Sequence, residues 1–310
     1  VRLIFLGSPQ FAVHPLAALA AAGHEIAAVV TQPDRPAGRD RRLTPPPVKV
    51  AAAALGLPVL QPETLRDPAV VERLAELRPE AGVVAAYGEI LRKAVLAIPP
   101  LGYLNVHPSL LPLHRGPTPV AGAILAGEAE TGVSIMRLDP GMDSGPILAQ
   151  AVVPLPPDAR AGPLTDELFR LGARLLAEAL PRYAAGEVQP QPQDHSLATV
   201  TKLLSKEDGV VRWELPALVI ERMTRAYDPW PGATTRWRGQ PLRVIAAAVH
   251  GDWEGPEAPG TLLGRGPGGG PLVATGSGAL ELRELQPAGK RPMDGGAWLQ
   301  GVREPGRFGA

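Results

Sequence analysis

What most constrains the fold of this chain is the alternation, through its first half, of short apolar runs with segments of helical length. Residues 2–7, 25–31, 58–60, 81–86 and 104–107 are apolar runs bounded by turn residues. Between them, residues 9–22, 48–55 and 68–77 read as helices, and Gly23 and Gly56 stand just past two of the ends. A strand buried on both faces is apolar throughout rather than at alternate positions, and parallel neighbours need a crossover between them. The expected fold class is therefore α/β, with a Rossmann-like doubly wound, mostly parallel sheet. Residues 32–47 show no periodicity and read as a long loop.

The pattern then changes. Two strands, 133–138 and 147–153, flank Asp139-Pro140-Gly141-Met142-Asp143-Ser144-Gly145, and a long helix over 164–183 follows. Residues 186–200 are rich in Gln and Pro and poor in apolar residues, the composition of a linker. Beyond them, short strands are punctuated by Gly232, Gly239, Gly251, Gly264 and the run Gly266-Pro267-Gly268-Gly269-Gly270. That spacing suggests a small β-barrel. The expected organisation is a domain over 1–188, a linker over 189–203 and a second domain over 204–310.

Composition removes several classes of function. The 31 basic residues balance 31 acidic ones, so any nucleic-acid surface must be a local patch rather than a basic coat. There is no cysteine, which excludes disulfide and thiol chemistry. No run of about twenty apolar residues occurs, so no membrane span is expected. The first seven residues read as a strand rather than a signal peptide, and a cytoplasmic protein is expected.

The densest chemistry lies in Asn105-Val106-His107-Pro108-Ser109-Leu110-Leu111-Pro112. On a strand, Asn105 and His107 share a face because side chains repeat every two residues. An amide donor beside an imidazolium can meet the oxygen that becomes negative when a carbonyl carbon turns tetrahedral. A carboxylate could hold the ring and accept a proton, and Asp143 is the candidate, in its glycine-flanked loop. On spacing alone a strand-end histidine and an ordinary turn aspartate are the favoured reading, because a lone Asn-x-His is not specific. Ser109, His107 and Asp143 together suggest a hydrolase triad, but no Gly-x-Ser-x-Gly elbow surrounds Ser109. Gly7-Ser8-Pro9 lacks the glycine fingerprint of a dinucleotide site.

These segments carry a resemblance. Residues 105–112 are similar to the active-site strand and loop of the folate-dependent formyltransferases. Gly141-Met142-Asp143-Ser144-Gly145 resembles the Gly-Leu-Asp-Thr-Gly loop of that family, with Met for Leu and Ser for Thr. The resemblance implies that Asn105, His107 and Asp143 are the catalytic trio, that 10-formyltetrahydrofolate is the co-substrate and that no metal takes part. Ala85-Ala86-Tyr87-Gly88 resembles the segment whose backbone reads the pterin ring. His114-Arg115-Gly116 resembles an Arg-Gly element near the folate, with His114 where the family commonly has an aromatic residue. The folate site so implied comprises Tyr87, Gly88, Ser109, Leu110, Leu111, Pro112 and Arg115.

Between residues 31 and 49, five basic residues face two acidic ones in a Gly-Pro-rich stretch. The stretch resembles the inserted loop of those family members that act on methionyl-tRNA, where it senses the acceptor end of the initiator tRNA. Arg39 is the matching residue, with Arg41 and Arg42 as helpers. Residues 203–209 and 225–233 resemble the start of the family's C-terminal domain, a barrel of the oligonucleotide-binding kind that contacts tRNA. Lys202 and Lys206 are the expected contacts there. The resemblance thus implies formylation of the α-amino group of methionyl-initiator tRNA in translation initiation; a monomer is expected. Rival readings are a sugar-amine formyltransferase, the hydrolase part of formyltetrahydrofolate dehydrogenase, a non-catalytic tRNA-binding module and a dinucleotide oxidoreductase. The basic loop and the barrel-like tail favour tRNA over the first two, and the Asn105–His107–Asp143 set argues against the module.

Overall fold

The structure, a computed structural model, describes residues 1–38 and 41–309, so Arg39 lies outside the described residues. The chain forms two compact units. The first comprises Val1–Pro119, Glu130–Pro154 and Thr165–Thr201, and the second Val120–Ala129, Leu155–Leu164 and Lys202–Ala310.

The first unit is built on β1 (Arg2–Gly7), β2 (Glu25–Val30), β5 (Val59–Leu60), β6 (Ala81–Ala85), β7 (Tyr103–His107), β8 (Glu130–Arg137) and β9 (Ile147–Pro154). Their order is β5-β2-β1-β6-β7-β8-β9. The first five are parallel, and β8 and β9 add as antiparallel strands. The order reverses between β1 and β6, the place where open α/β sheets leave a crevice at the carboxyl ends of their strands.

The apolar runs explain the layering. Leu3 and Phe5 of β1 point into one core with Leu16 and Leu19 of α1 (Val13–Ala21), Val48 and Ala52 of α2 (Pro47–Ala54), and Phe169, Leu176 and Leu180 of α6 (Ala161–Ala184). Ile4 and Leu6, one residue out of phase, point into the other core with Leu74 of α3 (Pro68–Glu76) and Val95 of α4 (Lys93–Leu96). Helix starts follow local chemistry: Asp67 caps α3 by accepting from Ala69 N at 2.9 Å, and Pro68 begins it. Gly23 and Gly56 take the left-handed turns after α1 and α2, at φ +76° and +69°.

Residues 32–47, expected as a structureless loop, instead hold a two-stranded hairpin of β3 (Arg35–Ala37) and β4 (Arg42–Thr44). Apolar periodicity could not reveal it, because all three β4 residues are exposed and only the backbone ladder defines them. Residues 186–201 run along the first unit, and Gln191 exchanges two 2.8 Å backbone hydrogen bonds with Ile147.

In the second unit, β10 (Ala233–Trp237), β11 (Gln240–His250), β12 (Leu262–Arg265), β13 (Pro271–Ala274), β14 (Ala279–Pro287) and β16 (Phe308–Gly309) form an antiparallel sheet, ordered β12-β13-β14-β11-β10-β16. The short β15 (Met293–Asp294) pairs with β14. The sheet curls until its edges meet: Phe308 N donates to Gly260 O at 2.8 Å and Leu262 N to Gly306 O at 3.0 Å. That closure gives the expected OB-like barrel and removes free edges. Its core holds Trp213, Leu242, Val244, Leu280, Leu282 and Phe308. Four described helices were not expected from the sequence: the short α4, together with α5 (Pro119–Ala126), α7 (Ala217–Ala226) and α8 (Gly295–Gln300). Among the described residues no helix is long and apolar enough to cross a membrane.

Candidate active site

β7 ends at the carboxyl edge of the parallel strands, held by Val84 of β6 opposite Asn105 and by Ser134 of β8 opposite His107. Asn105 is half-buried and His107 buried, on one face of the strand. Across from them, the Asp139–Gly145 loop is braced from within. Asp139 accepts from Gly141 N at 2.9 Å and from Ser144 Oγ at 2.9 Å. Asp143 stands at φ +48°, a left-handed conformation uncommon for a residue with a side chain.

That turn aims the Asp143 carboxylate at β7. Its Oδ1 accepts from Asn105 Nδ2 at 3.3 Å, and its Oδ2 accepts from Gly116 N at 2.8 Å. His107 Nδ1 lies 3.7 Å from the same Oδ2. The other ring nitrogen, Nε2, donates to the carbonyl of His114 at 3.0 Å, which fixes the plane of the imidazole. The three side chains expected to act together are thus brought together.

The segment after β7 is rigidly hydrogen-bonded. Ser109 is fully buried; its Oγ donates to Leu113 O at 2.6 Å and its carbonyl accepts from Ser134 Oγ at 2.6 Å. A hydroxyl so committed is not a nucleophile in waiting. Leu111 is buried, while Leu110 and Pro112 are half-buried. Gly116 turns at φ +99°, and a Cβ there would stand 2.6 Å from the carbonyl of Thr201, so only glycine fits.

Arg115 is buried. It donates from Nε and Nη2 to Gln193 Oε1, at 3.1 and 2.7 Å, and Nη2 also lies 2.9 Å from His195 Nδ1. Gln193 in turn donates to the carbonyls of Asp143 and Gly145, at 2.8 and 2.7 Å. Sequence reasoning missed Gln193 because Gln-Pro composition resembles a linker. The signal was the two-residue repeat Gln189, Gln191, Gln193, the period of an extended strip with one face inward.

Tyr87 follows β6 in a sharp turn, with Ala86 at φ +49° and Gly88 at φ +93°. Its ring belongs to the core beneath the sheet, and burial, then the Glu89 charge, pushes its phenol up to about 12. What this turn can offer a planar ligand is its backbone, and the space beside Gly88 is open.

Of the expected tRNA contacts, Arg41 and Arg42 sit on the exposed hairpin, Arg41 at φ +49°. The hairpin's base is fixed by Asp34, which accepts from Lys49 Nζ at 2.8 Å and from Gln61 Nε2 at 2.7 Å. The Gln61 amide and then Lys49 hold the Asp34 carboxyl below the usual range. Lys49 is thereby spent as an anchor. In the second unit Lys202 pairs with Asp208, and that contact, with Ser205, pulls the Asp208 carboxyl down to about 2. Lys206 is exposed.

Residues 1–180 match the family described as Formyl transferase, and residues 203–303 match Formyl transferase, C-terminal domain. Methionyl-tRNA formyltransferase of Chloroflexus aurantiacus is 75% identical over 302 residues, covering 97% of both chains. Among solved structures, WlaRD, a sugar 3N-formyl transferase in the presence of dTDP and 5-N-formyl-THF, matches with a TM-score of 0.65 at 15% identity, over 94% of this chain and 99% of that one. HypX from Aquifex aeolicus in complex with tetrahydrofolic acid matches with a TM-score of 0.62 at 19% identity, over 100% of this chain and 50% of that longer one. At such identities the structural likenesses speak to the fold alone.

Proposed function

The chain belongs to the formyl transferase family, and from that premise we propose that it moves the formyl group of 10-formyltetrahydrofolate onto the α-amino group of methionyl-initiator tRNA. The observation that carries this reading is the meeting of Asn105, His107 and Asp143, with Asn105 and Asp143 hydrogen-bonded across 38 residues of sequence. The acceptor is supported by the full-length 75% identity to a methionyl-tRNA formyltransferase.

In this reading the amine nitrogen attacks the formyl carbon, and the carbonyl electrons move onto oxygen. Collapse of the tetrahedral carbon restores the C=O bond and breaks its bond to N10 of the folate. The amine loses a proton and N10 gains one. Asn105 Nδ2 donates to the developing oxyanion, a contribution of about 10²–10³ in rate for one such donor. His107 supports the same oxyanion site; its Nε2–H is committed to the His114 carbonyl, and its Nδ1 faces Asp143. Asp143 holds the ring from that side and takes the amine's proton, directly or through one water.

The folate lies against the Tyr87-Gly88 backbone and the Ser109–Pro112 segment, with Arg115 beneath. The hairpin's Arg41 and Arg42, together with Arg39, meet the phosphates of the acceptor end; Lys202 and Lys206 meet the tRNA on the barrel unit. The enzyme works as a cytoplasmic monomer.

The test incubates the protein with 10-formyltetrahydrofolate and charged initiator tRNA, with charged elongator tRNA and an amino-sugar nucleotide as controls. Formyl-methionine on the initiator alone is the expected result. Formylation of the sugar and not of the tRNA would overturn the acceptor, and no transfer to any of the three would overturn the reading as a whole.

A further inference from the structure

Gln193 is 6% exposed, and every polar atom of its side chain is engaged. Its amide nitrogen donates to two carbonyls of the Asp143 loop, while its amide oxygen accepts twice from Arg115. The next residue after Arg115 is Gly116, whose N–H holds the Asp143 carboxylate itself. The contacts close a ring: Arg115 side chain, Gln193, Asp143 backbone, Asp143 carboxylate, Gly116, and back to Arg115. A ring of this kind makes the aspartate loop and the 114–116 turn move as one body.

We propose that Gln193 is a positioning residue, whose amide holds Asp143 in the left-handed turn that aims its carboxylate at Asn105 and His107. The physical need is plain in the backbone. A non-glycine residue at φ +48° is uncommon, and contacts that hold its flanking backbone favour that conformation over its alternatives. Asp139 ties Gly141 and Ser144 but touches neither carbonyl that Gln193 holds. Gly145 already packs closely on β8, since a Cβ added to it would stand 1.9 Å from the carbonyl of Arg137, and the next residue is tied there by the 2.8 Å hydrogen bond from Arg137 N to Pro146 O. The amide nitrogen therefore pins the two ends of Asp143–Gly145 against a fixed wall. The inference rests on the formyl-transfer reading above.

Gln193→Glu tests it. The variant keeps the side-chain length and an acceptor for Arg115, but loses both N–H groups and sets an oxygen against two carbonyls. Loss of aim should lower kcat by about 10- to 100-fold, as a misplacement of roughly 1 Å does. KM for the folate should stay within about twofold because Arg115 keeps its partner, while Tm should fall, because two buried carbonyls lose their donor. In an Asp143→Asn background the same substitution should cost less than about twofold, because its effect runs through the missing carboxylate. Gln193→Met, of similar volume, should reproduce the kcat loss if Gln193→Glu fails to fold. Unchanged kcat, equal losses in both backgrounds, or insolubility of both variants would overturn the proposal and leave Gln193 a packing residue. A wild-type protein unable to formylate charged tRNA would instead remove the premise, so the two failures are distinguishable.

Discussion

The Asp139–Gly145 loop and the hairpin of β3 and β4 both follow a strand of the first unit, and both turn through left-handed residues, Asp143 in one and Gly38 and Arg41 in the other. They are built by opposite means. The loop is tied at nearly every step: by Asp139 from within, by Asn105 and Gly116 at the carboxylate, and by Gln193 at the backbone. The hairpin has three ladder pairs and a fixed base at Asp34, and at its far strand Leu43 is 71% exposed. Proton transfer and oxyanion stabilisation need donors fixed to a fraction of an ångström, whereas binding to phosphates needs reach and charge.

The largest effect should come from the fixed loop. Asp143→Ala is expected to lower single-turnover formyl transfer by about 10²–10⁴, the range for removing a positioned acid–base group, with Tm little changed. Activity near wild type would erase the contrast between the two loops. On the hairpin side, Arg41→Ala combined with Arg42→Ala should raise KM for initiator tRNA by roughly tenfold. Its salt dependence should flatten by about one unit of slope for each phosphate left without an arginine, and folate affinity should not change. An equal fall in folate affinity would place the hairpin in the folate site instead.

Ser109→Ala sharpens the boundary of the chemical region. It strands the Leu113 carbonyl, so urea unfolding should show a loss of about 1–2 kcal/mol. Its kcat should fall by only a few-fold, and a loss as large as that of Asp143→Ala would revive covalent serine catalysis. The smallest effect is expected for Asp34→Ala, with KM for tRNA changed by roughly twofold because a partly exposed ion pair adds modestly to a hairpin that its backbone ladder also holds. The Asp34 carboxyl is held below its ordinary value, so its contribution is present at neutral pH and is lost only as acid carries the solution down through that lowered value. The penalty of the variant should therefore be flat between about pH 6 and 8, and a pH-dependent penalty there would show that Asp34 is not the group holding the hairpin.

Much of the candidate site was legible in the sequence. Asn105 and His107 could be placed on one face because the period of a strand is fixed by its covalent geometry. Asp143 entered through a family resemblance, since nothing in its spacing brings residue 143 to residue 105. Gln193 stayed hidden because its partners are backbone carbonyls, which leave no trace in residue type. Lys202, an expected tRNA contact, pairs with Asp208, six residues on, a partnership that residue type alone does not reveal. The hairpin within residues 32–47 escaped because exposed strands carry no apolar alternation.

By itself the sequence determined the doubly wound sheet, since strands buried on both faces must be apolar at every position and so announce themselves. It also determined the barrel-like character of the C-terminal half, through short strands and glycine punctuation. Tertiary structure alone decided which groups meet: Asp143 with β7, Gln193 with Asp143 across 50 residues, and residues 260–262 with 306–308 to close the barrel. Burial is a property of one residue at a time and can be read along the chain. A hydrogen bond between distant segments depends on where the whole fold places two atoms, and it exists only once the core has formed.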